Sequence, residues 1–344
     1  MANLADVFDP DEFGLVHLTD AVNKIPAQPT TIAQLGIFEG EPTSQTKVAV
    51  EEFRGRLFLV PTTKRMGPGV QSPPEKRAIV ALNVPHIQVD DSLGADDVLN
   101  VRRLGGTDTE AVGSVVERKL ALMRRSVDVT NEYLRWGALN GLVTYPTNSV
   151  DANVNLYTVF EDNSEQNVEF TLDTATTDVV ESIIPEVFDK IETALGGTPF
   201  TGVYALVGRS FFRKLIAHDR VRDLYEQQSA RLMEAFMGQV DMPRMNRRRV
   251  ALGGMVFEEY HGVVSGTTFP TTTQGRAFPI GAGIFKSFWA PADLPEVVGT
   301  LGEPLYARQY SSPDGKMVNL EVQSNPLHIC TRPQACIKLY EHTA

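Results

Sequence analysis

Cysteine is scarce in this 344-residue sequence, which has only Cys330 and Cys336, and no apolar run is long enough to span a membrane. Two cysteines cannot build the disulfide framework of a small secreted domain, so a reducing compartment is the simpler interpretation. The opening residues, MANLADVFDPDEF, are polar and acidic and lack the positive start and apolar core of a secretory signal. The sequence therefore predicts neither a membrane-spanning nor a secreted disulfide-rich protein.

Basic residues are also few, because 32 Lys and Arg stand against 43 Asp and Glu and leave a net charge of −11. This balance argues against a protein that wraps nucleic acid over its whole surface. The densest basic cluster is MPRMNRRR, with Arg244, Arg247, Arg248 and Arg249. Such arginines bind phosphate or the carboxylates of a neighbouring subunit. Both interpretations stay open, as does a nucleic-acid-binding protein that uses this cluster.

Motifs for common catalytic chemistry are missing. No GxGxxG follows a predicted strand, and neither GxxxxGK[ST] nor HExxH occurs. HICTRPQAC places five residues between its cysteines, whereas zinc sites usually have two and a second pair elsewhere. We therefore interpret His328 and Cys330 as a packed pair on a strand. Gly208 and Ser210 do not complete the GxSxG of a nucleophile elbow, and Ser210 is predicted to cap a helix. The sequence predicts no enzyme, cofactor or metal site, with a thiol enzyme near Cys330 as the alternative.

The first 45 residues are predicted to form an arm that needs another surface to lie on. Prolines interrupt their short apolar pieces and prevent long helices and central strands; they are Pro10, Pro26, Pro29 and Pro42. A short turn of helix near Leu18–Val22 is expected, with Thr19 or Asp20 as its cap. A disordered tail is the alternative, which the regular apolar content argues against.

Residues 46–92 are predicted to form a long hairpin. Lys47–Glu52, Gly55–Val60 and Ala78–Val84 have strand character, and the intervening PTTKRMGPGVQSPPEKR is rich in proline, glycine and charge. A lone hairpin is marginal in water and needs a partner sheet or another chain. Its tip carries four basic residues that are candidates for inter-subunit contact or simply solvated: Lys64, Arg65, Lys76 and Arg77.

The strongest local pattern predicts a long helix over 107–141. Thr107 and Glu110 have capping-box spacing, and Gly141 is a natural stop. Apolar residues recur in steps of three and four along one face; they include Val112, Val116, Leu120, Met123, Val127, Leu134 and Ala138. A helix of this length is a rod of roughly 50 Å.

The remaining segments indicate a mixed α/β architecture. Residues 142–172 alternate weakly and are predicted to be antiparallel strands. Residues 178–195 are predicted to be helical, with Pro185 at a bend or at the true first turn. Val203–Val207 has the pattern of a buried strand, Phe211–His218 and Val221–Gly238 have helical patterns, and the last 45 residues alternate as strands.

Two stretches of the sequence are the most specific for a known family: LTDAVNKIPAQPTTIAQLGIFEG and the segment containing PHIQVDD. Through them the sequence resembles the lambda-type phage major capsid proteins, the major capsid protein E family. The matching stretches follow the family's order and are Leu18–Gly40, Gly55–Gly69, Val84–Gly105, Leu252–Gly262 and Glu303–Tyr340. The arginine cluster and residues 145–175 match weakly, so no family property is assigned to them.

The resemblance implies an α+β chain with the Hong Kong 97-type phage capsid fold. It implies an N-terminal arm at 1–45 and an extended β-hairpin loop at 46–92. A peripheral domain with a long spine helix at 107–141 would take 93–174 and 301–344, and an α/β axial domain would take 175–300. Some relatives carry an assembly segment before the arm, whereas this chain begins almost at the arm, so a separate scaffolding protein is implied. No residue can be matched to the Lys–Asn crosslink of some relatives.

The function implied by the resemblance is that of a non-enzymatic major capsid protein of a tailed bacteriophage. Subunits would assemble in the host cytoplasm into hexamers and pentamers of an icosahedral virion capsid. The shell would enclose double-stranded DNA without sequence-specific binding, with portal and decoration proteins as further partners and no membrane. An encapsulin-like compartment shell is the alternative within the structural class.

Overall fold

The computed structural model describes residues 15–24, 30–54, 76–94, 112–146, 152–160, 165–172, 179–222, 249–264, 267–312 and 317–341. The helices in these ranges are α1 Leu15–Lys24, α2 Thr31–Gln34, α3 Val112–Leu139, α4 Leu156–Val159, a π-helix Val179–Ile183, α5 Ile184–Leu195, α6 Arg209–Ala217 and the 3₁₀ turns Pro295–Val297 and Pro333–Ala335. No helix there is long and apolar enough to cross a membrane.

The strands in the same ranges belong to several separate sheets. They are β1 Glu39–Pro42, β2 Lys47–Arg54, β3 Lys76–Asn83, β4 Ile87–Gly94, β5 Leu142–Val143, β6 Val154–Asn155, β7 Asn167–Phe170, β8 Gly202–Val207, β9 Arg249–Leu252, β10 Met255–Glu259, β11 Gly262–Val264, β12 Thr267–Phe269, β13 Gln274–Ile280, β14 Phe285–Trp289, β15 Tyr306–Ser311, β16 Met317–Ser324, β17 Pro326–Cys330 and β18 Ile337–Glu341.

The chain divides into two compact units. The first contains Met1–Val50, Ala81–Arg135 and Lys286–His328. The second contains Glu51–Val80, Trp136–Phe285 and Ile329–Ala344.

In the first unit, helices pack against an antiparallel sheet of order β15-β16-β4. Apolar side chains at helical spacing along α3 meet alternate residues of the strands, so both patterns bury their apolar faces together. This core contains Leu18, Val22, Leu93, Val115, Val116, Leu120, Met123, Val127, Leu305, Ala307, Leu320 and Val322. An ion pair between Lys119 and Asp91 at 2.9 Å ties α3 to β4 at the edge of the core.

In the second unit, six strands form a mixed sheet of order β7-β18-β13-β8-β10-β9. The central pairs alternate in direction, because β8 is parallel to β10 and antiparallel to β13. Helix α6 contributes Phe211 to a buried aromatic group, with its ring centroid 5.1 Å from that of Phe170. The ring of Phe170 also meets Phe257 of β10 at 6.2 Å. These contacts fix the helix against the sheet.

Two helices agree closely with the sequence patterns. The predicted 107–141 helix is observed as α3 over 112–139, and the predicted capping residues Thr107 and Glu110 lie outside the described residues. The predicted 178–195 helix is observed as the π-helix followed by α5. Pro185 sits in the first turn of α5, where its missing N–H costs nothing. Gly196 ends α5 in the left-handed conformation, with φ 59°.

The prediction that Ser210 caps a helix is wrong. Helix α6 begins at Arg209, and its N-cap residue is Gly208 in extended conformation. Backbone carbonyls replace a capping side chain: the N–H of Phe211 donates to Thr272 O at 3.0 Å. A Cβ at position 208 would lie 2.3 Å from Thr271 O, so this close approach of the loop requires glycine.

The prediction of antiparallel strands over 142–172 is correct for one pair and wrong for another. Strands β5 and β6 pair antiparallel, but β7 pairs parallel with β18 at the other end of the chain. Local alternation predicts a strand without specifying the direction of its partner. All but the first two residues of the predicted Val221–Gly238 helix lie outside the described residues.

Candidate assembly surfaces

The hairpin stem is formed by β2 and β3, which pair only with each other among the described residues. The N–H of Val84 donates to Thr46 O at 2.9 Å and closes its base. Val48, Val50 and Leu82 are buried at this base, whose residues belong to the first unit. Residues 55–75, with Lys64 and Arg65, lie outside the described part of the chain. A two-stranded sheet with no third strand is marginal on its own.

Of the basic residues predicted to contact neighbours, Arg249 has a described side chain. It lies on β9 and forms an ion pair with Glu258 of β10 at 2.9 Å. Its guanidinium also lies 5.9 Å from the ring centre of Tyr204, whose hydroxyl donates to the same carboxylate. Arg249, which is half-buried, therefore has a buried carboxylate as its partner within its own subunit.

The other candidates remain predictions. Lys76 and Arg77 open strand β3, of which the backbone alone is described there. Arg244, Arg247 and Arg248 lie outside the described residues. Arg249 is therefore set apart from the rest of its cluster by an internal partner.

The N-terminal arm is predicted to need another surface to lie on, and its described part finds that surface on its own chain. Helix α1 buries Leu18 and Val22 in the core of the first unit. Thr19 does not cap this helix: its hydroxyl accepts the N–H of Ala307 at 3.1 Å and so joins α1 to β15. The amphipathic face of α1 finds its apolar surface within the same unit, so these residues need no second subunit to cover them.

Two charged residues of α3 hold the arm in place. The Glu132 carboxylate accepts the N–H groups of Ile32 at 2.8 Å and Ala33 at 3.3 Å, which are unpaired donors at the start of α2. The Arg124 guanidinium donates to the carbonyl of Val22 near the end of α1. Both interactions place a charge where it complements a helix end.

His328 is buried in the first unit and bonded to a single neighbour. Its Nδ1 lies 2.6 Å from the hydroxyl of Ser287, and the rings of Phe38 and Trp289 meet it edge-on at 5.8 and 5.6 Å. Its Nε2 has no hydrogen-bond partner among the described residues. Burial, and then the positive charge of Arg135, lower the pKa of His328 well below its ordinary value of 6.5.

We expect His328 to make the protein less stable in mild acid. As the pH falls below about 6.5, His328 binds a proton in the unfolded chain but stays neutral in the folded protein. The stability present above that pH is therefore progressively lost. Urea unfolding from pH 7.5 to 5.5 should show the free energy of unfolding of wild type falling more steeply than that of His328→Gln. The difference should approach about 1.4 kcal/mol per pH unit. Equal pH slopes for the two proteins would contradict the assignment.

The two cysteines of the second unit are packed together as thiols. Their Sγ atoms are 3.8 Å apart, and both residues are 0% exposed. A reactive cysteine needs a partly exposed, electropositive environment. Their burial supports the interpretation of packed side chains and gives no support to a thiol enzyme near Cys330.

The fold is shared with solved capsid proteins. A prophage protein of E. coli CFT073, described as a capsid protein, matches with a TM-score of 0.61 and 16% identity over 95% of this chain and 99% of that one. The mature capsid of bacteriophage PhiM1 matches with a TM-score of 0.51 and 10% identity over 89% of this chain and 85% of that one. These likenesses define a mixed helix-and-sheet chain with the phage capsid fold.

The sequence comparison specifies the family within that fold. The model of Phage major capsid protein E matches residues 14–340. The major capsid protein of Pseudomonas phage KPP10 is 27% identical over 95% of this chain and 97% of its own length. That of Salmonella phage Felix O1 is also 27% identical, over 96% of each chain. The chain belongs to the phage major capsid protein E family.

Proposed function

We propose that this chain is the shell-forming subunit of a tailed-phage head, arranged as hexamers and pentamers of an icosahedral capsid around packaged double-stranded DNA. It is a major capsid protein, as the family match over residues 14–340 establishes. The arrangement into rings follows from the need to place one surface in many equivalent contacts, which closed symmetry provides.

The hairpin stem is the observation that carries the proposed assembly mechanism. Strands β2 and β3 form a pair that no third described strand completes. An extended pair of this kind buries apolar area by lying on a neighbouring subunit, at roughly 25 cal/mol per Å². Contacts of modest strength accumulate within a closed shell because each further contact is effectively intramolecular.

The domain names stay part of the proposal: an arm at 1–45, a hairpin at 46–92, a peripheral domain at 93–174 and 301–344, and an axial domain at 175–300. The long helix α3 supports a spine in the peripheral domain. The six-stranded sheet, however, joins β7 and β18 to strands from 175–300. We therefore propose that the axial domain also takes residues 165–172 and 329–341, and that residues 286–300, which fall in the first compact unit, belong to the peripheral domain.

A structural rather than enzymatic role is supported by the family and by the buried cysteines. Within the described ranges no group of three or more His, Cys, Asp and Glu is placed to hold a metal ion. An encapsulin-like compartment is not favoured, because the family model and the curated relatives are phage capsid proteins. Scaffolding, portal and decoration proteins, assembly in the host cytoplasm and non-specific proximity to DNA belong to the proposal.

A nucleic-acid-binding role for Arg244–Arg249 is the second candidate. It predicts salt-sensitive DNA affinity of the unassembled subunit. The internal ion pair of Arg249 with Glu258 removes one of its four arginines from that role.

Negative-stain electron microscopy of the purified protein, alone and co-expressed with a scaffolding protein from a related phage, tests the proposed function. Closed shells or rings are the expected result. Monomers under both conditions would contradict it.

A further inference from the structure

The loop that connects Leu294 to Glu303 in the first unit holds two large apolar side chains in solvent. Val298 is 79% exposed and Leu301 is 63% exposed. An isolated exposed apolar residue is ordinary, but two on one short loop beside a groove form a surface that water solvates poorly.

Backbone hydrogen bonds pin this loop at both ends. At its start, the N–H of Val297 donates to Leu294 O at 3.2 Å, and the N–H of Thr300 donates to Val297 O at 3.1 Å. At its end, the N–H of Gly302 donates to Thr43 O at 2.9 Å. A Cβ at position 302 would lie 2.2 Å from Trp289 O, so the backbone approaches that strand closely. The loop is built to keep its shape.

The inner side of the loop already has its own core. Leu294 is buried with Ala292 and Tyr306, and Val297 packs against this cluster. The Tyr306 hydroxyl accepts the N–H of Glu303 at 2.8 Å and donates to Leu301 O at 3.4 Å. Because the buried positions are filled, Val298 and Leu301 are left outside by the architecture of the loop.

A groove of about 710 Å³ lies beside Val298. Most of its lining is apolar, including Val84, Pro291 and Leu294. Two of its polar residues are already bonded: Asn325 donates to Pro291 O at 2.6 Å, and its side-chain oxygen lies 2.8 Å from His86 Nδ1. A mostly apolar lining of this kind favours an apolar occupant.

We propose that Val298, Leu301 and this groove, here called the 298 patch, form a contact with a second copy of the chain. This inference rests on the proposed shell function. The groove is also lined by Ser44, Thr46 and Val84, which flank the base of the hairpin stem. The 298 patch is thus continuous with the surface proposed to meet a neighbour, and it supplies the apolar centre that a stable interface requires.

The test compares shells formed by wild type, by the double variant Val298→Ser, Leu301→Ser and by the matched control Leu122→Ser. Leu122 is 55% exposed on α3, so the control removes an exposed leucine from another surface of the same unit. Particle yield is measured by sedimentation and electron microscopy, and folding by thermal unfolding. We expect the double variant to unfold at the same temperature as wild type. Its particle yield should fall about tenfold or more, while the control assembles normally.

A second measurement serves if the double variant fails to fold. Leu301→Cys is labelled with a photoactivatable maleimide; both native cysteines are buried, which directs the label to position 301. Irradiated particles should give a product of twice the 37.9 kDa chain mass. In the crosslinking experiment, no product or a product of another mass would overturn the inference. In the assembly experiment, it would be overturned by wild-type particle yield from the double variant or by an equal loss of yield in Leu122→Ser. Wild type that forms no particles would instead count against the proposed function.

Discussion

Replacing residues 55–75 with an Asn-Gly turn should give a folded subunit that no longer forms shells. Strand β2 ends at Arg54 and β3 begins at Lys76, and a two-residue turn suits two antiparallel strands that end together. The stem and its buried base at Val48 and Leu82 are kept, so the free energy of unfolding should change by no more than about 1 kcal/mol.

Assembly should respond far more strongly than stability. Each 1.4 kcal/mol lost from a subunit contact lowers its equilibrium constant about tenfold, and every subunit in a shell would lose the same contact. Particle yield by sedimentation and electron microscopy is the measurement. Shells of normal size from the shortened chain would show that the hairpin is dispensable.

The control for the hairpin keeps its length and removes its charge. Lys64, Arg65, Lys76 and Arg77 are replaced together by alanine, which leaves every backbone group in place. A loss comparable to that of the shortened chain would assign the effect to contacts with a neighbour's carboxylates. Normal assembly would indicate that the four charges are solvated and that the extended strands make the contact.

Arg276→Met should strongly destabilise the central sheet of the second unit, by about 3 kcal/mol. Arg276 is buried on β13, and its guanidinium donates to Asn140 at 2.9 Å, to Cys336 O at 3.3 Å and to Glu165 at 2.5 Å. Methionine fills much of the volume but leaves these acceptors without their donor.

Glu165→Gln is the matched control for that ion pair. The Glu165 side chain is 35% exposed, so water can replace part of the hydrogen bonding that the Arg276 guanidinium gives to it. We expect a loss of about 1 kcal/mol, measured by urea unfolding beside Arg276→Met. Equal losses in the two variants would mean that the ion pair itself, rather than the buried donor, holds the sheet.

Periodic segments could be predicted from sequence because one face of each element decides its structure. The long helix α3 is the clearest case, since Leu120, Met123 and Val127 recur at helical spacing and are buried together. The hairpin stem was also predictable, because two strand-like runs flank a segment rich in proline and glycine.

Interactions between distant segments could not be predicted in the same way. Glu132 looks like a solvated charge on a helix, yet it is buried and accepts the N–H groups of Ile32 and Ala33, which precede it by 100 and 99 residues. Similarly, the start of α6 depends on a hydrogen bond from the Phe211 N–H to Thr272 O and on the close approach of Thr271 O to Gly208, which no local pattern reveals.

The exposure of the apolar side chains of Val298 and Leu301 could not be predicted from the sequence either. Sequence reasoning assigns apolar side chains to a core, and only the filled positions of Leu294 and Tyr306 leave these two outside. For most of the basic residues, the prediction of contact with a neighbour rests on charge alone. Arg249 shows that such a residue can have its partner within its own subunit.

A cryo-EM reconstruction of the assembled particle tests the central claim most directly, because it shows on which subunit the hairpin lies. We expect a closed icosahedral shell in which the hairpin built on Lys47–Arg54 and Lys76–Asn83 crosses onto an adjacent copy of the chain. A closed shell in which the hairpin folds back on its own subunit, or projects into solvent without touching a neighbour, would contradict it.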